Sequence, residues 1–242
     1  MRILLGLCVS VLVISSCEDT KKNKSVKTEN TPIKVTERTP QPPDPVKKTN
    51  QDSFLPDGFE KITQDNVVSF FTEYGKKHQE TKVKLSTRLG DIYLSLYEDT
   101  PLHRANFIFL VKQGYFSDTF FHRAVPNFII QGGNSDLHST NKKRAKIGAT
   151  YLLPAEINDR KHTYGSVSGA KEYRENPDKK TMPFEFFIFL GPQSSTSHLN
   201  GNYTVFGKVT QGMDVVEKIA KLETDEGEWP LQNVYIKAEV VN

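Results

Sequence analysis

The run FFHRAVPNFIIQGG, residues 120–133, combines side chains that could support chemistry without a covalent step. Arg123 is permanently charged, planar and rich in donors, and such a group stabilises a lone pair or negative charge that develops in a transition state. The Gln131 amide both donates and accepts hydrogen bonds, and Phe128 and Ile129 would add an apolar surface beside it. Taken singly, these residues have plainer explanations: an isolated arginine is most often a surface ion-pair partner, and apolar residues of strands are most often core.

Other kinds of site have no support in the 242-residue chain. Its six histidines, at positions 78, 103, 122, 138, 162 and 198, lack the spacing of metal ligands, so we expect no metal site. There is no glycine-rich phosphate loop and no motif that would activate a serine or cysteine nucleophile. A net charge of +3 is too small to predict nucleic-acid binding. We therefore expect no cofactor, and we separately expect a monomer.

Short alternating segments predict a mainly β fold around these residues. Apolar and polar residues alternate on both sides of Leu89, Gly90 and Asp91, which predicts a hairpin. Pro101, at the start of an apolar-faced segment that Gly114 ends, predicts one helix. The segment GMDVVEKIAKL predicts a second helix. Five further strand-like segments lie between the helices and another closes the chain, which indicates an antiparallel barrel or sandwich.

Four segments in the same order resemble the cyclophilin family: LGDIYLSLYEDTPLHRANFIFLVKQGYF, FFHRAVPNFIIQGG, YTVFGKVTQGMDVVEKI and PLQNVYIKAEV. The likeness extends from about Val83 to Val241. It implies a closed eight-stranded antiparallel β-barrel capped by two α-helices, formed by residues 81–242, with the active site on its outer face. It also implies a peptidyl-prolyl cis–trans isomerase, whose substrates are proline-containing polypeptides.

The resemblance also implies a role for each candidate residue. Arg123 would stabilise the twisted amide, and Gln131 would bind the substrate backbone and orient Arg123. His122 would be a structural residue rather than a base. The catalytic group would be Arg123, Gln131 and Phe128, and the substrate contacts would come from Ile129, Ala170, Glu185, Phe187, Leu199 and Tyr203.

One departure from the family pattern bears on activity. Glu185 stands where the family usually has Gln, and an ionised carboxylate only accepts hydrogen bonds. Beside Arg123 it would pair with the guanidinium and draw it away from the prolyl nitrogen. Our hypothesis is lowered activity or altered substrate choice. The alternative function is a proline-peptide-binding chaperone module with weak or no catalysis.

The amino-terminal residues predict export and anchoring. Residues 1–16 have a positive start and an apolar run too short to span a bilayer as a helix, and VISSC resembles a lipobox that ends at Cys17. We interpret this as a lipoprotein signal peptide with lipidation, palmitate included, at Cys17; an ordinary signal peptide with an incidental cysteine is the alternative. The domain would then lie outside the cytoplasm, lipid-anchored to a bacterial membrane in the cell envelope, where it would assist the folding of exported proteins.

Two segments would connect the anchor to the domain. Residues 17–53 are rich in Lys, Thr and Pro and have no hydrophobic period, which predicts a disordered tether. Residues 54–80 predict a short helical extension. Its stripe of Val67, Phe70, Phe71 and Tyr74 favours docking onto the domain over binding of a partner.

Overall fold

The computed structural model describes residue 55, residues 59–171 and residues 175–242. The predicted signal peptide at 1–16, the lipidation site Cys17 and the tether at 17–53 lie outside the described residues. In chain order the described elements are α1 (Val67–Lys77), β1 (Lys82–Thr87), β2 (Gly90–Leu96), α2 (Pro101–Lys112), β3 (Phe120–Val125), β4 (Ile129–Asn134), α3 (His138–Ile147), β5 (Ser166–Gly169), β6 (Phe186–Phe189), β7 (Val205–Gln211), α4 (Met213–Ala220) and β8 (Lys237–Val240), with 3₁₀ turns at Tyr115–Asp118 and Gln193–Ser195.

The described strands form one antiparallel sheet of eight, in the order β3-β4-β6-β5-β7-β2-β1-β8. The sheet curls until its edges approach: the Phe121 N–H donates to the Val234 carbonyl at 3.0 Å, and the Ile236 N–H donates to the Thr119 carbonyl at 3.0 Å. These bonds involve the residues before β8, not β8 itself. The predicted eight-stranded antiparallel sheet is confirmed. The structure shows a curled sheet. It does not confirm that the barrel is closed.

Two helices match the predicted caps. In α2 every residue from His103 to Val111 is buried, because α1, β8 and the 3₁₀ turn that follows all pack against it. In α4 an apolar face that includes Val215, Val216 and Ile219 lies against the sheet. Gly114 follows α2 with a φ of 63°, a left-handed conformation that suits glycine and turns the chain into the 3₁₀ turn.

The extension packs against α2. The rings of Phe70, Phe71 and Tyr74 lie 5.5, 5.9 and 5.3 Å from that of Phe109, centroid to centroid. Gly75 permits this approach, since a Cβ there would lie 3.3 Å from the Cβ of Ala105. The predicted stripe is therefore a docking face for the domain.

Sequence reasoning missed α3. Its sequence, HSTNKKRAKI, is polar and has no hydrophobic period, so no pattern indicated a helix. Local hydrogen bonds fix its start: the Leu137 N–H donates to Ser135 Oγ at 3.1 Å, and Thr140 Oγ1 donates to the Asp118 carbonyl at 2.9 Å. With α1 and α3, the described part of the chain has four helices, two more than the predicted caps.

In the part of the chain that the structure describes, no helix has both the length and the apolar composition needed to span a bilayer. No group of three or more His, Cys, Asp or Glu side chains within it could hold a metal ion.

Candidate active site

The apolar side chains of β4 and β6 fall into two clusters, because successive residues of a strand point to opposite faces of the sheet. Ile130 and Ile188, neighbours in the register, point inward with Phe186 and belong to the main core. The alternate residues Ile129 and Phe187 point outward. They form a separate cluster of Ile129, Phe187, Phe189 and Leu199, with Val125, Phe128 and Tyr203 packed against it.

The loop between β6 and β7 covers this outer cluster. Tyr203 meets Phe187 edge to face at 5.5 Å, and Phe128 lies 6.3 Å from Phe189, between ring centroids. His198 lies 5.7 Å from Phe128 on the same measure. The predicted pocket residues Phe128, Ile129, Phe187, Leu199 and Tyr203 are thus brought together on the outer face of the sheet.

A buried histidine supports the floor of the cluster. The His162 ring stacks on Phe187 at 5.9 Å and 4° between planes. Its Nδ1 donates to Asn200 Oδ1 at 3.0 Å, and its Nε2 lies 3.1 Å from Ser168 Oγ. Burial lowers the pKa of His162, against the opposing hydrogen bond with Asn200. Sequence reasoning gave His162 no role, because a single histidine carries no spacing signal.

The polar candidates Arg123 and Gln131 lie on the same outer face of the sheet, in one row across the strands. Arg123 on β3 pairs with Gln131 on β4, which pairs with Phe187 on β6. The next row, Val125 with Ile129 and Phe189, is apolar. An arginine, an amide and an apolar cluster therefore lie side by side across three strands.

Arg123 has a carboxylate partner that the sequence did not indicate. Its Nε donates to Glu228 Oε2 at 2.5 Å, and 37% and 43% of the two side chains are exposed. The Glu228 carbonyl also accepts from the Ala124 N–H at 2.9 Å, and Glu228 has a φ of 62°. The loop that carries Glu228 is thereby held against β3, with its carboxylate at the guanidinium.

Glu185 has other partners, so the expected pair with Arg123 is not formed among the described residues. Its Oε2 accepts from Gln131 Nε2 at 2.9 Å and lies 3.4 Å from His122 Nε2. Its Oε1 lies 3.3 Å from Nη2 of Arg144. The expectation was wrong because α3, which was not predicted, supplies the cation.

The pKa of Glu185 reflects these contacts. Burial acts to raise it, but the hydrogen bond and charge of His122, the charge of Arg144 and the Gln131 amide together bring it below its ordinary value. The carboxylate is therefore ionised at neutral pH although only 11% of its side chain is exposed.

Ala170 lies at the end of β5 and is not part of the outer cluster. Its N–H donates to the Glu185 carbonyl at 3.2 Å, and its carbonyl accepts from Met182 N–H at 2.8 Å. Its neighbour Lys171 places Nζ 4.7 Å from the centre of the Tyr203 ring. Ala170 is therefore connected to the site by the backbone hydrogen bond that it makes with Glu185.

The model of the family described as "Cyclophilin type peptidyl-prolyl cis-trans isomerase/CLD" matches residues 82–240. The chain belongs to this family. It is 38% identical over 147 residues to a peptidyl-prolyl cis-trans isomerase of Acinetobacter baylyi, covering 60% of this chain and 74% of the relative. A Schizosaccharomyces pombe isomerase is 34% identical over 156 residues, covering 64% and 94%. The family and enzyme class predicted from the sequence are confirmed.

A solved structure agrees with the fold. The cyclophilin-type isomerase of Cryptosporidium parvum, crystallised in the presence of the dipeptide Ala-Pro, has a TM-score of 0.55 and 27% identity, and the match covers 66% of this chain and 99% of that one.

Proposed function

We propose that the chain accelerates rotation about Xaa-Pro bonds, with Arg123 as the catalytic cation and the outer cluster as the proline pocket. The observation that carries this proposal is the row of Arg123, Gln131 and Phe187 across three adjacent strands. It combines a fixed charge, an amide and an apolar surface within one strip. The Ala-Pro dipeptide named with the Cryptosporidium parvum relative is the kind of ligand that such a strip would bind.

The reaction needs no covalent intermediate. Amide resonance keeps the Xaa-Pro bond planar, with a barrier of roughly 18–20 kcal/mol. Twisting the bond localises a lone pair on the prolyl nitrogen. A donor aimed at that nitrogen binds the twisted form better than either planar form, and this difference lowers the barrier. Each ~1.4 kcal/mol of preference gives a tenfold increase in rate.

The neighbouring residues would hold the substrate for this step. Phe187, Ile129 and Leu199 would receive the proline ring, with Phe128 and Tyr203 at its edges. Gln131 would bind the substrate backbone, and Ala170 would contact the side that precedes proline. Arg123 would exchange its exposed ion pair with Glu228 for the substrate, since such pairs contribute little free energy.

The same ion pair favours a second candidate function. If Glu228 holds the guanidinium throughout, the cleft would bind proline peptides without catalysing rotation, as a chaperone module. Glu185, the feature that first suggested this alternative, supports it less, because its charge is matched by Arg144.

A protease-coupled assay on Xaa-Pro peptides, with the purified full chain, separates the two functions. Arg123→Ala is expected to lower kcat/KM about a hundredfold, the scale for loss of one transition-state donor, and to leave peptide affinity within a few fold. Arg88→Ala, which removes an exposed arginine between β1 and β2, is the matched control and should match the unaltered chain. Equal rates for Arg123→Ala and the unaltered chain would favour the binding module.

We also propose that the enzyme is a lipid-anchored monomer outside the cytoplasm that acts on exported proteins. Cys17 and the apolar run before it support this. In the bacterial cell, Cys17→Ser should abolish labelling by palmitate and release the chain from the membrane fraction. Labelling that survives in this variant would contradict anchoring at Cys17. Light scattering of the detergent-solubilised chain should give the mass of one copy.

A further inference from the structure

Arg144 links α3 to the candidate active site through three kinds of contact. Its Nη2 lies 3.3 Å from Glu185 Oε1 and donates to the Gly133 carbonyl at 3.1 Å. Its Nε donates to the Tyr115 hydroxyl at 2.8 Å. Its guanidinium lies 5.2 Å from the centre of the Phe184 ring. A side chain held on so many sides is a fixed cation rather than a surface charge.

Glu185 determines which way the Gln131 amide points. An ionised carboxylate can only accept, so the atom of Gln131 that faces it must be the Nε2 donor, here at 2.9 Å. The amide oxygen then points away from Glu185, on the strip where Arg123 is the register partner of Gln131. A glutamine at position 185 would meet either end of the Gln131 amide equally well.

We propose that Arg144 is a positioning residue: through Glu185 it holds Gln131 in the single orientation that presents its carbonyl oxygen to the substrate and to Arg123. This proposal rests on the proposed function. It makes the Arg144–Glu185 pair a unit that replaces the neutral amide usual at this position in the family. The unit works only when both charges are present.

The surroundings of Glu185 explain why the cation matters. His122 faces it from β3, Arg144 from α3 and Gln131 from β4, and the Tyr115 hydroxyl in the 3₁₀ turn accepts from Arg144. Without Arg144 the buried carboxylate would lose its permanently charged partner and bind a proton more readily. A protonated Glu185 would both donate and accept, so Gln131 would no longer have one preferred orientation.

Four variants of the full chain test this proposal: Arg144→Gln, Arg144→Lys, Glu185→Gln and the double variant Arg144→Gln/Glu185→Gln. We expect Arg144→Gln to lower kcat/KM about tenfold, since it leaves a buried charge without its partner. The double variant should lose activity to about the same extent, because a neutral amide at position 185 both donates and accepts and leaves Gln131 without one preferred orientation. Arg144→Lys should lose less than Arg144→Gln.

The pH profile gives a readout that a purely structural role would not move. The kcat/KM of the unaltered chain should fall in acid as Glu185 gains a proton. This acid limb should move to higher pH in Arg144→Gln and should be absent in Glu185→Gln. Thermal melting of each variant would show that the protein assayed is folded.

An NMR measurement separates failure of this proposal from failure of the proposed function. The side-chain Nε2 protons of Gln131 should show a downfield shift from the carboxylate in the unaltered chain, and Arg144→Gln should remove it whether or not the chain catalyses isomerisation. An unaltered chain without isomerase activity would overturn the proposed function alone. Full activity in the double variant, or an unmoved acid limb and an unchanged Gln131 signal in Arg144→Gln, would overturn the role of Arg144.

Discussion

The two faces of β6 are equally buried, yet their side chains belong to different apolar clusters. Phe186 and Ile188 on the inner face, and Phe187 and Phe189 on the outer face, are all no more than 3% exposed. The inner pair belongs to the main core, which extends through α1, α2 and α4. The outer pair belongs to a cluster of four buried residues with three partly buried ones around it.

This difference shows that burial alone does not distinguish a core from a site. An antiparallel sheet commonly has one solvated face, so the apolar cluster on the outer face supports the proposed proline pocket. Register separates the two clusters, because successive side chains of a strand point to opposite faces. Phe187 has Gln131 as its register partner, whereas Phe186 has glycines at 132 and 169.

The largest effect should come from substituting the two neighbouring phenylalanines. Phe186→Ala should cost about 3–5 kcal/mol of unfolding free energy, as for other large core residues. Phe187→Ala should cost about half as much, because its cavity opens toward the solvent, but it should raise KM for Xaa-Pro peptides strongly. Urea unfolding and the protease-coupled assay measure both effects. A Phe187→Ala variant with unaltered KM would remove the outer cluster as the proline pocket.

The apolar face could be predicted from the sequence and the charged contacts could not, for a physical reason. The family motifs indicated Phe128, Ile129 and Phe187, and the structure brings them together. Arg144 lies in a polar helix without a period, and Glu228 in a polar loop. Ion pairs join residues far apart in the chain, and no local pattern marks them.

A second test concerns the charged residues around Glu185. Glu185 has a pKa below its ordinary value in the folded chain, although burial opposes this, because His122, Arg144 and Gln131 stabilise its ionised form. It therefore contributes stability that is present above the unfolded-state pKa, near 4.3, and is lost as pH falls through the folded value. Urea unfolding between pH 7 and pH 3 should show this loss in the unaltered chain. Glu185→Gln should show a shallower decline, and an identical decline would contradict the role of the carboxylate.

A smaller effect of pH on stability should come from His162, which stacks on Phe187 of the outer apolar cluster. The pKa of His162 is lowered from its ordinary value of about 6.5, chiefly by burial. Its neutral form therefore stabilises the fold above pH 6.5, and this stability is lost as pH falls below that value. The two sides of the site would thus titrate in separate windows. His162→Gln should flatten the dependence of unfolding free energy on pH between 7 and 5, and leave the decline below pH 4.5 intact.

The smallest expected change in stability tests whether Arg123 is an ordinary surface ion-pair partner. Glu228→Gln breaks a pair that is more than a third exposed on both sides, so unfolding free energy should change by less than about 1 kcal/mol. If the pair competes with the substrate, the variant should gain up to a few fold in kcat/KM, and added salt should raise the activity of the unaltered chain toward that of the variant, because salt screens exposed charges. Glu239→Gln, which breaks the partly exposed pair with Lys84 on the β1–β8 side, is the matched control and should change neither quantity appreciably. A loss of activity in Glu228→Gln would mean that the carboxylate aims the guanidinium at the substrate instead of withholding it, and Glu228 would then join Arg144 among the residues that position the site.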